Sequence, residues 1–437
     1  MHLYDIPLVL VLIGLALYTV LGGADFGAGF WTLLSGRGRL GRAVRDHAHD
    51  SIAPVWEANH VWLIFVLTVT WTAYPSAFGS IASTLSVPLL IAGVGIVLRG
   101  ASYALRAAAG DDRERDRAEL VFATSSILTP FALGAAVGAI ASGRVPVGNA
   151  AGAAFGSWLS PTGVLLGVLA VASCAYLAAV FLAADAARRR QPELEQRFRR
   201  LALGSGVAAG VIAAAGLAVL HGDAHHLYAR LAHGRALPGP IVSAVAGLAT
   251  LELVRRRRYE AARFSAALAV AAIIAGWALA QSPQLLPGLS LHAAAAPRDT
   301  LVALLVAIAA GAVILFPSLG LLFSLVLRGR FEGEAGVAAL QASRGRTGAR
   351  SRGVPGERRS GSRARIAVAG LIAGVGLLTI AEAGWAHAVG VLGLLVFVIC
   401  GFAAIVPSQL EQIAARDSAG ERTAGSLEAP ADGGGAD

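Results

Sequence analysis

Residues 6–34 read IPLVLVLIGLALYTVLGGADFGAGFWTLL, and this stretch decides the fold. It contains a single charged side chain, Asp25, and exceeds the roughly 20 apolar residues that cross a hydrocarbon core about 30 Å thick. Similar apolar runs follow along most of the chain. The sequence therefore predicts an all-α polytopic membrane protein. The spans predicted for its nine-helix core are 6–34, 52–74, 77–105, 119–142, 160–187, 201–220, 237–254, 262–281 and 299–327.

The composition also indicates a membrane protein. Of 437 residues, 56% are hydrophobic and 14% are charged, whereas about a quarter are charged in a typical soluble protein. The net charge of +9 does not indicate nucleic-acid binding, because the basic residues lie in short clusters between apolar runs. The first apolar run has no basic region before it and continues past Asp25, so it is interpreted as a retained helix and not as a secretion signal.

Arginine residues alternate between the predicted connections. Five connections hold 29 of the 36 basic residues, whereas the connections between them hold four. Short loops rich in arginine stay on the cytoplasmic side of a membrane. The pattern predicts that the N-terminus lies outside and the C-terminus lies in the cytoplasm. The arginine-rich connections are 35–50, 106–118, 188–200, 255–263 and 328–365.

The C-terminal quarter differs from the rest of the chain. Residues 331–365 are dense in Gly, Arg and Ser with few apolar side chains, which predicts a flexible basic cytoplasmic linker. Two apolar runs within 366–407 predict an additional two-helix membrane hairpin. Residues 408–437 predict a disordered cytoplasmic tail. The nine-helix membrane domain is assigned to residues 1–330.

Asp25, Glu57 and Arg99 are the main ionisable residues inside predicted spans. Such a residue costs about 2.5–3.5 kcal/mol at mid-bilayer on insertion scales, so each requires a partner or a function. Asp25 stands among glycines that permit close helix approach. Arg99 is within snorkelling reach of the surface, and it is equally able to neutralise Glu57 or Asp25. A structural ion pair and a functional charge both fit these positions.

Glu57 is predicted in the first turns of the second helix, near the cytoplasmic surface. Asp50 or Ser51 is expected to cap that helix. Glu57 and His60 share one face at the i, i+3 spacing and form a titratable pair. Trp56 adjoins Glu57, and we expect it to shape the surroundings of the carboxylate.

Histidines are scarce in the apolar segments. His60 and His387 are the candidates for axial ligands of a haem, but a lone histidine is more often a satisfied core residue. A second histidine group falls in an exterior connection, at spacings that match no standard metal site. The sequence therefore predicts neither a metal site nor a directly bound cofactor. The exterior group is His221, Asp223, His225, His226 and His233.

Four blocks of sequence carry a family resemblance: GADFGAG at 23–29, IAPVWEANHVWL at 52–63, VLRG at 97–100 and GWALAQSP at 276–283. Their residues, order and placement resemble subunit II of cytochrome bd-type quinol (ubiquinol or menaquinol) oxidases. The second and fourth blocks are specific, whereas the first alone is weak. The resemblance runs from residue 1 to about residue 330 and leaves the rest of the chain unexplained.

The resemblance implies a complex in the plasma membrane of a prokaryote that oxidises a quinol, reduces dioxygen to water and builds a proton gradient. A partner subunit I carries haem b and haem d, and a small accessory subunit and membrane lipid are further partners. Subunit II binds no haem and serves assembly and proton delivery from the cytoplasm. The family's proton-entry residue falls on Glu57. Asp25, His60 and Arg99 are the other candidate catalytic residues.

A proton-coupled or cation-coupled membrane transporter is the alternative, since intramembrane Asp, Glu, His and Arg also mark ion pathways. A purely structural membrane scaffold is a third interpretation. The sequence lacks a clear pair of broken helices, which disfavours the transporter. An oxidase subunit is expected to co-purify with a haem-bearing partner, whereas a transporter is self-sufficient and colourless.

Overall fold

A computed structural model of the chain describes residues 2–36, 38–108 and 112–327, together with the single residues 369 and 389. The chain divides into two units, 1–321 and 322–437, of which the first holds the candidate site. The predicted linker at 331–365 and tail at 408–437 lie outside the described residues. So does the predicted hairpin at 366–407, apart from residues 369 and 389.

The described part of the chain is helical, with one two-stranded hairpin of β1 (Gln284–Leu286) and β2 (Leu289–Ser290). Several helices begin with proline at their first position, where the missing N–H would have no intrahelical acceptor. The helices are α1 Ile6–Leu33, α2 Arg39–Ala73, α3 Pro75–Thr84, α4 Ser86–Ala108, α5 Asp112–Ala141, α6 Pro161–Arg188, α7 Pro192–Asp223, α8 His225–His233, α9 Pro238–Arg255, α10 Tyr259–Gln281, α11 Leu291–Ala294 and α12 Arg298–Leu327.

Each of the nine predicted spans overlaps a helix of the structure. Among the described residues, six helices are long and apolar enough to cross a membrane by length and composition: α1, α4, α5, α6, α7 and α10. The number rises to seven if α8 and α9, which are bent by 71°, form one span. The multi-span helical fold is thereby established, and the count of nine crossings stays a prediction.

The second helix begins earlier than predicted. α2 starts at Arg39, so the backbone passes through Asp50 and Ser51 without a helix start, and the expectation that either residue caps the helix was wrong. The reason is an amphipathic first half, in which Val44, His47 and Ala48 are buried in the core at helical spacing. Ser51 instead donates a hydrogen bond of 2.6 Å to Asp185 Oδ2 on α6.

The predicted span 77–105 was wrong as a single helix. The structure divides it into α3 and α4, with a break at Leu85. Pro88 lies in the first turn of α4, where it has no N–H to donate to the carbonyl of Thr84. The helical hydrogen-bond ladder is therefore interrupted at this point.

Helix α6 lies at the centre of the core, against α1, α5, α7 and α10. Most of its residues from 174 to 186 are buried, and alanine recurs among them. Helices in a bilayer gain little from apolar burial, because lipid tails are as apolar as leucine; close packing of small residues contributes more. The alanine-rich α6 therefore provides a surface against which α1 can approach closely.

Candidate functional site

A buried ion pair joins α1 to α4 at the level of the glycine-rich block. Arg99 donates from Nη1 to Asp25 Oδ2 at 2.8 Å and from Nη2 to Asp25 Oδ1 at 2.5 Å. A third bond of 3.0 Å runs from Arg99 Nη2 to the Asp25 carbonyl. The side chains of Arg99 and Asp25 are 3% and 0% exposed. Of the alternatives for Arg99, the structure therefore selects the pair with Asp25 and not a snorkelled end.

Two aromatic rings enclose the guanidinium of Arg99. Its Cζ atom lies 4.8 Å from the ring centroid of Phe26 and 4.5 Å from that of Phe122 on α5. A desolvated cation over an aromatic face gains about 2 kcal/mol. The rings also exclude water, which strengthens the bidentate pair. The charges of Asp25 and Arg99 cancel, and the pair is held in place by residues of α1, α4 and α5.

Glycines make this close approach possible. A Cβ atom on Gly27 would lie 1.8 Å from the Cys174 carbonyl oxygen of α6, and one on Gly29 would lie 2.1 Å from Ser126 Oγ of α5. Real Cβ atoms do not tolerate such distances. The block GADFGAG therefore brings α5 and α6 against the part of α1 that carries Asp25.

Gly27→Ala is accordingly expected to destabilise the protein by about 1–3 kcal/mol, the usual cost of overpacking a filled core. The obstacle at Gly27 is backbone and not a flexible side chain, so relief requires α1 and α6 to separate. The measurement is the thermal unfolding midpoint in detergent. Gly210→Ala on α7 is the matched control, because nothing lies within 4 Å of a Cβ built there. Equal midpoints for the two variants would contradict this account of the glycine block.

Helix α2 also meets the site, through Asn59. The Asn59 side chain is fully buried, and a Cβ on Gly22 would lie 3.0 Å from its Nδ2 and Oδ1 atoms. The Asn59 amide lies close enough to the Asp25 carboxylate to hydrogen-bond with it, so Asn59 is a polar group held beside Asp25. His60 is close enough to Asp25 to interact with it electrostatically. Sequence reasoning missed Asn59, although a buried amide in an apolar helix is itself a signal.

The structure changes the predicted depth of Glu57. Glu57 lies 18 positions after Arg39, about 27 Å along the axis at 1.5 Å per residue, so it does not stand in the first turns of its helix. Because α1 and α2 are consecutive and antiparallel and Asn59 packs on Gly22, the backbone at Glu57 lies at about the level of Asp25. The side chains of Trp56 and Glu57 are not among those described.

The exterior histidine group lies on α7 and the short helix α8. Its carboxylate is engaged elsewhere: Asp223 accepts bonds of 2.9 and 2.7 Å from Arg144, and of 2.6 Å from the Thr162 hydroxyl. The ring of His221 packs edge to face against those of His225 and Tyr228. Within the described ranges, no group of three or more His, Cys, Asp or Glu side chains is placed to hold a metal. The geometry gives this group a role in tying helix ends together.

Comparison with known proteins identifies the family. A family model described as cytochrome bd terminal oxidase subunit II matches residues 3–326. Subunit 2 of cytochrome bd ubiquinol oxidase from Bacillus subtilis is 28% identical over 132 residues, which cover 30% of this chain and 38% of that protein. Subunit 2 of cytochrome bd-I ubiquinol oxidase from Escherichia coli K12 is 28% identical over 174 residues, covering 37% and 44%. The aligned stretches thus span less than half of these curated relatives.

The fold agrees with this comparison over a longer stretch. A chain in the structure of the bd oxidase from Geobacillus thermodenitrificans superposes with a TM-score of 0.61 at 26% identity, covering 75% of this chain and 99% of that one. The matched region contains α1, α2 and α4, and with them the Asp25–Arg99 pair. The chain belongs to the cytochrome bd terminal oxidase subunit II family.

Proposed function

We propose that this chain is subunit II of a bd-type terminal oxidase, a complex that oxidises quinol and reduces dioxygen to water. One observation carries the proposal: the family match is continuous over residues 3–326 and includes the buried site where α1, α2 and α4 meet. The chain would lie in the plasma membrane of a prokaryote, with its N-terminus outside and its C-terminus in the cytoplasm. Its arginine-rich helix ends support that orientation.

The haems b and d are assigned to a partner, subunit I, and none to this chain. Haem iron needs axial ligands, commonly histidine nitrogens, that project into a large pocket, and histidines are scarce in the apolar segments of this chain. The quinol is likewise a substrate of the complex. A small accessory subunit and bound lipid complete the proposed assembly.

Within the complex this chain would serve assembly and the delivery of protons from the cytoplasm. Glu57 is the proposed proton-entry residue, with Trp56 shaping its surroundings. Asp25, Arg99 and His60 would hold the electrostatic environment at the same depth. The helix register supports this grouping, because Asn59 of α2 packs on Gly22 of α1.

Co-purification tests the proposed function. The tagged full-length chain, extracted with mild detergent, is expected to bring down a second membrane subunit and the absorbance bands of haem. If the chain is instead a proton-coupled or cation-coupled transporter, it is expected to purify alone and without colour. One bent helix pair, α8 and α9, is present among the described helices, but the family match favours the oxidase. A stable colourless preparation would overturn the assignment.

Removal of residues 331–437 is expected to leave an assembled complex. The family match ends at residue 326, and the composition of 331–365 predicts a linker that transmits little packing energy. The measurement is haem content per milligram of the purified truncated complex, compared with the full-length one. A truncated chain that accumulates normally but fails to pair with its haem-bearing partner would show that this region is not dispensable.

A further inference from the structure

A small cavity lies among α1, α2, α4 and α5. Its volume of about 10 Å³ is enough for the centre of about one water molecule. Polar side chains from all four helices reach it, which makes it suitable for water and not for an apolar ligand. The lining residues are Thr32, His49, Ser102, Tyr103, Glu119 and Phe122, with Ala118.

The cavity adjoins the buried ion pair on the side predicted to face the cytoplasm. Thr32 follows Asp25 by two helical turns, and Ser102 follows Arg99 by one turn. Phe122 contacts both regions, because it lines the cavity and its ring also covers the Arg99 guanidinium at 4.5 Å. The Phe122 side chain therefore borders both the cavity and the charged pair.

The carboxylate of Glu119 lines the cavity and is partly exposed to solvent. Glu119 Oε2 lies 3.0 Å from Arg45 Nε, and both side chains are 16% exposed, so Glu119 reaches water without being fully solvated. Among the residues that line the cavity, the other titratable groups are His49 on α2 and Tyr103 on α4, whose rings stack at 4.4 Å. Helix α1 contributes the hydroxyl of Thr32 and no charge.

Glu57, the proposed proton-entry residue, lies too deep in the membrane for bulk water to reach it directly, so the path needs a connection to the cytoplasm. Glu57 and Asp25 lie about eight residues, or 12 Å, from the end of α1 at Leu33. A proton from the cytoplasm must cross that distance through groups that can bind it. The cavity and Glu119 lie along this 12 Å stretch, between the level of Asp25 and the end of α1.

We propose that this cavity holds water at the cytoplasmic end of the proton path. Glu119 is the residue that takes up protons from the cytoplasm and passes them to this water. The inference rests on the proposed function. A proton from bulk water binds a Glu119 carboxylate oxygen, passes to water held by Thr32 and Ser102, and is then accepted further inward by the Glu57 carboxylate. The carboxylate is then regenerated, so no charge is left behind and no other reactant is needed.

The test is quinol-driven oxygen consumption per haem in the purified complex, measured from pH 6 to pH 9. Glu119→Gln keeps the size of the side chain but cannot carry a proton. Turnover at neutral pH is expected to fall about tenfold, and to fall further as pH rises because direct proton supply becomes limiting. Glu119→Asp is expected to restore most of it. Glu193→Gln is the matched control, since Glu193 also pairs with an α2 arginine, Arg39, but at an exposed site.

A second variant tests the cavity itself. Ala118→Val fills it while leaving the Glu119–Arg45 pair in place, and we expect the same loss and the same steeper pH profile. A wild-type profile in either Glu119→Gln or Ala118→Val overturns the inference. If Glu119→Gln does not assemble, Ala118→Val decides alone. Failure of the proposed function is distinguishable, because it would remove haem and oxygen consumption from the wild-type preparation as well.

Discussion

Arg99→Met is expected to prevent assembly or to destabilise the protein by about 3–5 kcal/mol, because it leaves the Asp25 carboxylate buried without its partner. Asp25 would also lose all three hydrogen bonds that Arg99 donates. The measurement is haem content and the thermal unfolding midpoint of the purified complex. The double variant Asp25→Asn, Arg99→Gln carries no charge and is expected to recover part of the lost stability.

Arg255→Gln is the control for this experiment. Arg255 pairs with Glu252 in an exposed i, i+3 bridge, and such bridges contribute little. Its replacement is expected to leave the unfolding midpoint unchanged.

If the double variant Asp25→Asn, Arg99→Gln is stable and fully active, the Asp25–Arg99 pair has a structural role only. Normal stability of the single Arg99 variant would contradict the buried pair described here.

Glu57→Gln is expected to slow quinol-driven oxygen reduction by about 100-fold, the low end of the usual contribution of a proton-transferring side chain. Glutamine keeps the shape of the side chain but cannot relay a proton. Glu57→Asp is expected to retain part of the activity. The measurement is oxygen consumption per haem, so that loss of assembly does not imitate a blocked proton path.

A structural role for Glu57 makes a different prediction. Glutamine still forms hydrogen bonds and would be tolerated, whereas alanine would be harmful through lost packing. The order of the three variants therefore separates the two roles. Wild-type turnover in Glu57→Gln would remove Glu57 from the proton path.

The helices were largely predictable from the sequence because a bilayer imposes one simple requirement, a long apolar run. The failures occurred where that requirement does not apply. The first half of α2 is polar on one face, yet Val44 and His47 are buried against the core, so hydropathy alone placed its start 13 positions late. The break at Leu85 depends on a single missing N–H at Pro88 and hardly alters the hydropathy.

The candidate site was predictable as a set of charges but not as a geometry. Asp25 and Arg99 are conspicuous in apolar helices, but 74 positions separate them, and several pairings fitted the pattern equally well. Asn59 and Phe122 carry no charge and were overlooked, although one sets the register of α2 and the other covers Arg99. Tertiary packing, which no local pattern encodes, selects these neighbours.

The packing of Asn59 on Gly22 has an electrical consequence for the proposed path. It places Glu57 about 12 Å from the end of α1, a substantial part of a hydrocarbon core about 30 Å thick. A proton that travels this far from a negatively charged cytoplasm moves against the transmembrane voltage. Moving one elementary charge across the whole membrane costs about 2.3 kcal/mol at 100 mV, so moving a proton across 12 Å of the roughly 30 Å core costs roughly 0.9 kcal/mol at that voltage. Proton uptake would then slow as the membrane becomes energised, so that respiration is restrained by the voltage it creates.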